Sequence, residues 1–327
     1  MCTAVTYKTN NHYFGRNLDL EYSYNEAVTV TPRNYVFEFR KVGKTKNRFA
    51  MIGMAYVVNG YPLYYDATNE KGLSAAGLNF PDNADYKPYC EKKDNITPFE
   101  LIPWILCQCS TVFEAERLLA RINILKENFS QELPLTPLHW IISDKERSIT
   151  LESVKEGLKI YDNTVGVLTN NPTFDFQIFN LNNYTALTSG EPLSTFAGEN
   201  KEFKTKVYSR GMGAIGLPGD TSSMSRFVRA CFVKLNSVSK DSENKSVSQF
   251  FHILNSVEMQ RGCVRLDKNL YAATIYSSCC NTDLGIYYYT TYDNSRICAI
   301  DMHKENLDGS TLIQYPLIKE QSIKYQN

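Results

Sequence analysis

The order of apolar and polar residues predicts β-strands at the start of the chain. Residues 27–31 and 35–39 alternate between the two kinds of side chain, and residues 49–58 form a longer apolar run. Both patterns favour strands over helices. A short strand directly after Cys2, followed by a turn, predicts a hairpin that returns residues 14–19 to the N-terminus.

Capping signals predict two short helices after these strands. Thr97 and Glu100 form a capping box around a proline at the first helical position. Pro103 lies further along the same segment, where we expect it to kink the helix. Thr111 and Glu114 form a second capping box, which precedes an apolar stripe.

Two longer helices and a second group of strands complete the pattern. We predict helices over residues 222–238 and 247–260, the first with one apolar face made of Met224, Phe227, Val228, Cys231, Phe232 and Leu235. The later strands are predicted at residues 138–143, 148–154, 158–162, 165–169, 274–276, 286–291, 296–301 and 312–318. Strands, then helices, then strands indicate an α+β fold of antiparallel sheet faced by helices. Since no Pro/Gly/Ser-rich linker divides the chain, we expect one domain.

Composition narrows the classes of partner and compartment. The 327 residues carry 35 basic and 35 acidic side chains, so the net charge is zero, which argues against a nucleic-acid partner. No secretory signal and no membrane-spanning apolar run are present, so we expect a cytoplasmic protein without membrane association. The nine cysteines are an odd number, and we interpret them as free thiols.

Cys2 is the first candidate for chemistry. Removal of Met1 by an aminopeptidase would place a thiol and a free α-amine on one residue. A thiolate is nucleophilic, and an α-amine has an unperturbed pKa of roughly 7.7–8.0, which suits proton transfer. Because no propeptide precedes Cys2, we expect no further cleavage. A Met-Cys start also occurs by chance, so the hypothesis depends on the remaining residues.

Two short segments with polar residues in an apolar setting could provide groups that assist such a nucleophile. In residues 14–19, Arg16 could favour the thiolate and Asp19 could accept a hydrogen bond from the α-amine; an exposed Arg/Asp pair is the equally weighted alternative. In residues 76–81, the Asn79 N–H could donate to an oxyanion, although an ordinary turn explains this segment more often.

Two further polar segments of this kind lie later in the chain. A side-chain amide at Asn170 or Asn171 could be an oxyanion donor, while an Asx turn before Pro172 is the commoner explanation. Arg226 follows a Gly/Pro turn and falls in the first turn of the predicted helix, where a cation opposes the helix dipole. That position favours an anionic neighbour, with a solvent-facing arginine as the alternative.

Metal and cofactor sites find little support. Neither Cys107 with Cys109 nor Cys279 with Cys280 has the two-pair spacing of a zinc site. No Walker or dinucleotide glycine loop is present. Core or surface roles are the more probable for the four histidines, at positions 12, 139, 252 and 303.

Together with Cys2, the four polar segments described above make the chain similar to the choloylglycine hydrolases. This family includes bile salt hydrolases and penicillin V acylases. The likeness runs from residue 2 to about residue 307, over segments 14–19 (FGRNLD), 69–73 (NEKGL), 76–80 (AGLNF), 168–170 (LTN), 217–220 (LPGD), 225–227 (SRF), 301–302 (DM) and 305–307 (ENL). The resemblance implies the N-terminal-nucleophile fold, a four-layer αββα sandwich of two antiparallel sheets between helical layers. It also implies a single domain over residues 2–327 and a homotetramer in the bacterial cytoplasm.

The resemblance implies a role for each site residue. Cys2 would be the nucleophile and its amine the proton carrier. Asp19 would orient the amine, while Arg16 and Arg226 hold the thiolate. The oxyanion hole would be formed by the Asn170 side chain and the Asn79 backbone, with Asn171 as another placement of the amide.

The resemblance also implies the substrate. Penicillin V acylases typically carry Tyr at the position of Asn79, so Asn79 favours bile salts conjugated to glycine or taurine. Leu18, Tyr22, Asn79 and the 129–138 loop would line the substrate pocket, and no metal or organic cofactor is expected. A penicillin V acylase is the runner-up, and a non-catalytic bile-acid-binding protein is the alternative from another class. The sequence ranks neither glycine against taurine nor one steroid against another.

Overall fold

The fold is described from a computed structural model, which covers residues 1–196, 198, 202–203, 205–240 and 242–327. The strands are β1 Cys2–Lys8, β2 His12–Leu20, β3 Ala27–Thr31, β4 Val36–Phe39, β5 Gly43–Lys46, β6 Met51–Val58, β7 Tyr61–Asn69, β8 Ser74–Asn79, β9 Asp94–Ile96, β10 Ile122–Ile124, β11 Leu138–Ser143, β12 Ser148–Val154, β13 Gly157–Asp162, β14 Val167–Leu168, β15 Val264–Asp267, β16 Leu270–Asn281, β17 Ile286–Thr291, β18 Asn294–Asp301 and β19 Ile313–Pro316. The helices are α1 Leu101–Leu106, α2 Val112–Leu119, α3 Phe174–Asn180, α4 Ser223–Asn236 and α5 Glu243–Asn255. Short 3-10 turns cover Pro98–Glu100, Leu181–Tyr184, Met212–Ala214 and Met302–Lys304.

Two antiparallel sheets form the centre of the described structure. The first has the strand order β14-β1-β2-β16-β17-β18, with β15 paired to β16. The second has the order β13-β12-β11-β8-β7-β6-β3-β19. Helices α4 and α5 pack on the first sheet, while α1 packs on β7 and β8 of the second. Since β1 and β2 contact β8 across the sheets, the architecture is the predicted αββα sandwich.

Strand β6 shows why its apolar run is continuous. Ile52 and Met54 belong to the core between the sheets, whereas Met51 and Ala55 belong to the core under α1 and α2. Successive side chains of a strand point to opposite faces, so a strand covered on both faces needs apolar residues at nearly every position. The prediction of a strand over residues 49–58 is therefore confirmed, with its start at Met51.

Several predicted boundaries were wrong. The helix expected over 247–260 begins at Glu243, because Ser242 caps it, and ends at Asn255. The strand expected over 274–276 is the centre of the twelve-residue β16. Strands β7 and β8 were not predicted. In α4 the apolar face is shorter than expected at both ends, since Met224 and Leu235 are exposed.

The capping signals were right about helix starts but not about every contact. Glu100 accepts a hydrogen bond from the Thr97 N–H at 2.9 Å. The segment changes from a 3-10 turn to the α-helix α1 at Leu101, two residues before Pro103. Pro103 therefore lies in the first turn of α1, where a missing N–H breaks no helical hydrogen bond. The Thr111 hydroxyl caps α2 as predicted, but the Glu114 carboxylate accepts from Ser110. Within the described residues, no helix is long and apolar enough to cross a membrane.

Candidate active site

The N-terminal hairpin places Cys2 in the centre of the first sheet. Strand β1 lies between β14 and β2, and its register sets Cys2 opposite Leu18 and Ala4 opposite Arg16. Directly opposed residues share a face of an antiparallel sheet, so the Cys2 and Arg16 side chains point into the same space between the sheets. Cys2 is only 2% exposed, and Arg16 is fully buried.

Arg16 is anchored by the second sheet and leaves one nitrogen near the thiol. Its Nη1 donates to the Tyr65 carbonyl at 2.9 Å and to the Gly77 carbonyl at 2.5 Å. Its Nη2 is buried and finds no hydrogen-bond partner among the described residues. Burial alone would lower the pKa of Arg16, but the Cys2 thiol and nearby acidic groups outweigh burial and raise it. The guanidinium is therefore a buried cation beside the candidate nucleophile.

Gly15 allows β2 to approach β16 this closely. A Cβ atom built on Gly15 would lie 1.9 Å from the Ser278 carbonyl oxygen, a distance that no side chain tolerates. The close approach lets the Arg16 N–H donate to the Ser278 hydroxyl at 3.1 Å. A glycine directly before Arg16 is thus a requirement of the local packing.

Asp19 lies beside the N-terminus, on the face of the sheet opposite to Arg16. Its Oδ1 accepts from the Thr274 hydroxyl at 2.6 Å, and its Oδ2 is buried without a hydrogen-bond partner in the part of the chain described. Burial raises the pKa of the Asp19 carboxyl, against the effect of Arg226 and the N-terminal amine. The Met1 amine and carbonyl pair with the Asp19 backbone at 2.6 and 2.9 Å.

Asn170 is the residue that connects the site. Its Oδ1 accepts from the Cys2 N–H at 2.9 Å and from Arg226 Nη2 at 2.6 Å. Its Nδ2 donates to the Asn79 carbonyl at 2.7 Å. The neighbouring Asn171 instead donates to the Pro81 carbonyl at 2.7 Å. Of the two adjacent amides, Asn170 is therefore the one in contact with Cys2.

The backbone of Asn79 faces the same space as the Asn170 amide. Asn79 is opposite Leu138 in the β8–β11 register, yet the Leu138 N–H donates to the Tyr86 hydroxyl and the Phe80 N–H to the Pro137 carbonyl. This makes the Asn79 pair a non-hydrogen-bonded one. The N–H and C=O of a strand residue point the same way, and the Asn79 C=O meets Asn170. The Asn79 N–H therefore points away from β11 and toward Asn170.

Arg226 approaches Cys2 from the helix side. It is the fourth residue of α4, as predicted, and is fully buried. Its Nη1 donates to the Cys2 carbonyl at 2.5 Å and to the Thr3 hydroxyl at 2.7 Å, and its Nε donates to the Thr221 carbonyl at 3.0 Å. Burial lowers the pKa of Arg226, while Asp19 and Cys2 oppose that shift. Arg226 thus fixes the Cys2 backbone and the Asn170 amide, whereas Arg16 shares a face of the sheet with the Cys2 side chain.

Asp66 is a buried acid at this site that sequence reasoning missed. It accepts hydrogen bonds from the Tyr276 and Tyr287 hydroxyls, both at 2.7 Å, and from Ser278 at 3.3 Å. Burial raises the pKa of Asp66, and the positive charge of Arg16 opposes this. Its position in β7, a strand that the pattern did not reveal, left no signal by which to find it.

The predicted pocket residues fall into two groups. Leu18 is 3% exposed and lies opposite Cys2, whereas Tyr22 is 52% exposed and packs at a tilt against Tyr24, with ring centroids 4.9 Å apart. The 129–138 loop joins the site at one end, where Leu138 pairs with Asn79. At its other end Phe129 packs against Phe99, with ring centroids 5.0 Å apart.

The four histidines and the cysteines other than Cys2 lie in the core or on the surface. His12 and His139 are buried, and His252 and His303 are exposed, in keeping with the predicted core or surface roles. Burial raises the pKa of the thiols of Cys107, Cys109, Cys231 and Cys280, to about 12 for the last three. All nine cysteines lie within the described residues and are free thiols. Among those residues, no group of three or more His, Cys, Asp or Glu could hold a metal ion.

Comparison with known proteins agrees with this geometry. The family model for linear amide C–N hydrolases, choloylglycine hydrolase family, matches residues 2–315. This chain belongs to the choloylglycine hydrolase family. It is 58% identical over 320 residues to a bile salt hydrolase/transferase from Lactiplantibacillus plantarum, with 98% of each chain covered. Choloylglycine hydrolases are amide hydrolases, so the prediction of an enzyme of this type is confirmed.

Solved structures share the fold over the whole chain. A variant of the conjugated bile acid hydrolase from Clostridium perfringens superposes with a TM-score of 0.92 at 39% identity, covering 100% of both chains. Penicillin V acylase from Agrobacterium tumefaciens gives a TM-score of 0.75 at 21% identity, covering 96% of this chain and 90% of that one. The predicted αββα sandwich of a choloylglycine hydrolase is confirmed.

Proposed function

We propose that this enzyme cleaves the amide bond between a bile-acid carboxyl group and glycine or taurine, with Cys2 as an N-terminal nucleophile. The observation that carries the proposal is the contact of the Cys2 N–H with Asn170 Oδ1, at 2.9 Å, in a buried site that also contains Arg16 and Asp19. The full-length likeness to enzymes named bile salt hydrolase or conjugated bile acid hydrolase supplies the substrate class.

Removal of Met1 is the first step of the proposal. It frees the Cys2 nitrogen, which as an ammonium group keeps the hydrogen bond to Asn170 Oδ1 and gains two further N–H donors. Asp19 Oδ2, buried beside the N-terminus without a partner in the described residues, is available to accept one of them. The remaining N–H faces the reacting amide, where it transfers a proton.

Acylation follows from these positions. The Cys2 thiolate attacks the amide carbon, and the carbonyl oxygen becomes an oxyanion held by Asn170 Nδ2 and the Asn79 N–H. The tetrahedral intermediate collapses as the C–N bond breaks, and the Cys2 ammonium gives its proton to the leaving glycine or taurine nitrogen. The products of this step are a free amine and a steroid acyl thioester on Cys2.

Deacylation reverses the proton transfer. The Cys2 amine, now neutral, takes a proton from water as the water oxygen attacks the thioester carbon. The second oxyanion occupies the same two donors, and its collapse breaks the C–S bond. Collapse gives the carboxylic acid, which releases its proton to solvent and leaves as a carboxylate, while the thiolate and ammonium of Cys2 are restored.

The charges around Cys2 can accommodate the ammonium–thiolate pair of this proposal. The guanidiniums of Arg16 and Arg226 are matched by the buried carboxyl groups of Asp19 and Asp66. An ammonium–thiolate pair on Cys2 therefore adds no net charge to the interior, where an unpaired charge is expensive. Arg16 Nη2, left without a partner in the described residues, stabilises the thiolate directly.

The steroid supplies most of the binding energy in this proposal. Burial of apolar surface contributes about 25 cal/mol per Å², and a steroid is a large rigid apolar body. We place it against Leu18, Tyr22 and the 129–138 loop, next to Asn79. Hydrolysis should therefore follow the steroid more than the amino-acid tail, so glycocholate and taurocholate should differ by less than about tenfold, or about 1.4 kcal/mol.

A comparison of kcat/KM for glycocholate, taurocholate and penicillin V tests this proposal. Penicillin V should be the poorest substrate, because its phenoxyacetyl group leaves much of a steroid pocket unfilled. If it matches the better bile salt, the enzyme is instead a penicillin V acylase with the same nucleophile. Tight binding of taurocholate without any hydrolysis would indicate the non-catalytic binding protein.

Acyl transfer to an amine is a second candidate activity. The Lactiplantibacillus plantarum relative is named a hydrolase/transferase, and a thioester on Cys2 can be attacked by an amine in place of water. Incubation of glycocholate with excess taurine should then yield taurocholate. Release of cholate alone, at every taurine concentration, would limit the enzyme to hydrolysis.

We place the enzyme in the bacterial cytoplasm as a homotetramer, on the basis of its family resemblance. Light scattering of the purified protein should give about four times the mass of the 37.3 kDa chain. Cell fractionation should recover the activity with cytoplasmic markers. A monomeric active enzyme would remove the tetramer from the proposal and leave the chemistry intact.

A further inference from the structure

His139 and Glu152 form a buried pair behind the oxyanion donors. The β11–β12 register, continued by one residue from Trp140 and Leu151, sets them directly opposite each other. Both side chains are fully buried, and His139 Nδ1 lies 3.0 Å from Glu152 Oε1. Both point into the space between the sheets, since Trp140 and Leu151 belong to the apolar core on the other side.

The partners of the ring fix where its protons lie. His139 Nε2 is 3.0 Å from the Thr169 carbonyl, which can only accept, so Nε2 carries a hydrogen. Nδ1 faces Glu152 Oε1, which already accepts the Phe174 N–H at 3.1 Å. The hydrogen bond between ring and carboxyl therefore requires one proton held between Nδ1 and Oε1. The pair holds the ring in a single orientation.

That orientation fixes the peptide that carries Asn170. The Thr169 carbonyl and the Asn170 N–H are the two ends of one peptide group. His139 binds the carbonyl, and the Ser223 hydroxyl accepts from the N–H at 2.8 Å. With both ends held, the Cα of Asn170 cannot shift without breaking a buried hydrogen bond.

The same ring supports the segment that carries Asn79. Phe80, the next residue, stacks on His139 with ring centroids 4.1 Å apart and an angle of 7° between the planes. The Asn79–Phe80 peptide is held at both ends as well, by Asn170 Nδ2 on its carbonyl and the Pro137 carbonyl on its N–H. One histidine thus contacts the neighbours of both oxyanion donors.

We infer that His139, oriented by Glu152, is a positioning residue that sets the distance between the Asn79 N–H and the Asn170 amide. This inference rests on the proposed function, because it assigns those two groups to the oxyanion. It predicts a specific defect: a displaced hole slows acyl chemistry but leaves the nucleophile as reactive as before. Arg16 and Asp19, which serve the thiol and the amine, have no contact with the pair in the hydrogen bonds that the structure describes.

The test compares His139→Phe and Glu152→Gln with His12→Gln. Phe keeps a flat ring beside Phe80 and removes both hydrogen bonds, while Gln at position 152 keeps the volume and removes the charge. His12 is the matched control, since it is also a buried histidine with two polar partners, Thr282 and Ser143. It lies at the far end of the hairpin, opposite Lys8, roughly 20 Å along the strand from Cys2.

Three quantities are measured for each folded variant: kcat and KM for taurocholate, and the rate of Cys2 alkylation by iodoacetamide followed by peptide mass. In His139→Phe we expect kcat to fall about 10- to 100-fold, because a misplacement of about 1 Å can cost about 10²-fold. Glu152→Gln should show a smaller loss in the same direction. KM should stay within about threefold of wild type, since ground-state binding is untouched. Alkylation forms no oxyanion, so its rate should not change.

The possible outcomes distinguish a failure of this inference from a failure of the proposed function. A wild-type enzyme that does not cleave taurocholate defeats the proposed function. An active wild type whose kcat survives both substitutions overturns the role of His139. So does a parallel fall of kcat and alkylation rate, or an equal fall of kcat in His12→Gln, because either would show a general structural effect. If His139→Phe does not fold, Glu152→Gln decides alone.

Discussion

The two cores on either side of the second sheet are built differently. Between the sheets, apolar side chains surround a set of buried polar groups: Arg16, Asp66, His139 and Glu152. Between the second sheet and the helices α1 and α2 the core is almost wholly apolar, with Phe37, Phe39, Ile105, Leu106, Leu119, Trp140, Ile142 and Leu151. One sheet therefore separates an interior that carries chemistry from one that only packs.

The site contains buried charged groups that lower the stability of the fold and that serve the proposed reaction. A buried charge costs several kcal/mol unless hydrogen bonds and an opposite charge compensate it. Around Cys2 this compensation is nearly complete, and the groups left without a partner among the described residues include Arg16 Nη2, between the sheets, and Asp19 Oδ2, on the other face of the first sheet. Substitutions there should cost activity before stability, and substitutions in the apolar core should do the reverse.

Replacement of the nucleophile should give the largest effect. Cys2→Ala should lower hydrolysis of taurocholate by about 10⁴-fold or more, as expected for loss of a covalent nucleophile. The thermal unfolding midpoint should stay close to that of wild type, since one small side chain is lost at a strand end. A fully active Cys2→Ala enzyme would refute the mechanism.

The two adjacent asparagines sharpen the comparison within the site. Asn170→Ala should lower kcat by roughly 10²–10³-fold, or about 3–4 kcal/mol, as for removal of one oxyanion donor. Asn171→Ala is the matched control and should cost much less, because its amide binds the Pro81 carbonyl instead. Steady-state kinetics on both variants decide the point, and the reverse ranking would move the oxyanion donor to Asn171.

A truncation in the apolar core should show the opposite pattern. Ile105 is fully buried under the second sheet, so Ile105→Ala should reduce the free energy of unfolding by about 2–5 kcal/mol. Its kcat per folded molecule should equal that of wild type. Urea unfolding and active-site titration measure the two quantities separately. If Ile105→Ala lowers kcat without lowering the free energy of unfolding, the two cores do not differ in the way described.

His12 predicts a smaller effect that depends on pH. Burial lowers the pKa of His12 from 6.5 to about 4, against the opposing effect of Asp283 and Asp144. Between these values the unfolded chain binds the proton and the folded chain does not. Stability is therefore lost as pH falls from 6.5 toward 4, by about 3 kcal/mol in full.

His12→Gln removes this term. The stability advantage of wild type over the variant should shrink as the pH of urea unfolding is lowered from about 7 to about 5. The comparison with the variant cancels the titration of Asp19 and Asp66, whose raised pKa values act in the opposite direction. A difference that is independent of pH would show that folding leaves the pKa of His12 unchanged.

Strands whose apolar pattern is continuous could be predicted closely, and a strand whose pattern is interrupted could not. The strands over 138–143 and 148–154 were predicted to the residue. Strand β16 was predicted too short because Ser277 and Ser278 interrupt its pattern. Both hydroxyls are buried and donate to Asn17 and Asp66, so they are core residues despite their polarity.

The site shows the same limit. Pattern and turn signals brought out Cys2, Arg16, Asp19, Asn79, Asn170 and Arg226, and the resemblance supplied their roles. The contact of Arg226 with the Cys2 carbonyl was not foreseen, because it depends on how α4 docks on β1. The His139–Glu152 pair was missed because it exists only through the β11–β12 register and the position of Thr169.

The most direct test of the central claim is the mass of the N-terminal peptide, taken from enzyme that is acid-quenched while it hydrolyses taurocholate. We predict that this peptide begins at Cys2 and that a fraction of it carries one cholyl group as a thioester on the Cys2 sulfur. A fully active enzyme whose peptide retains Met1, or an acyl group found on any other residue, would contradict the account.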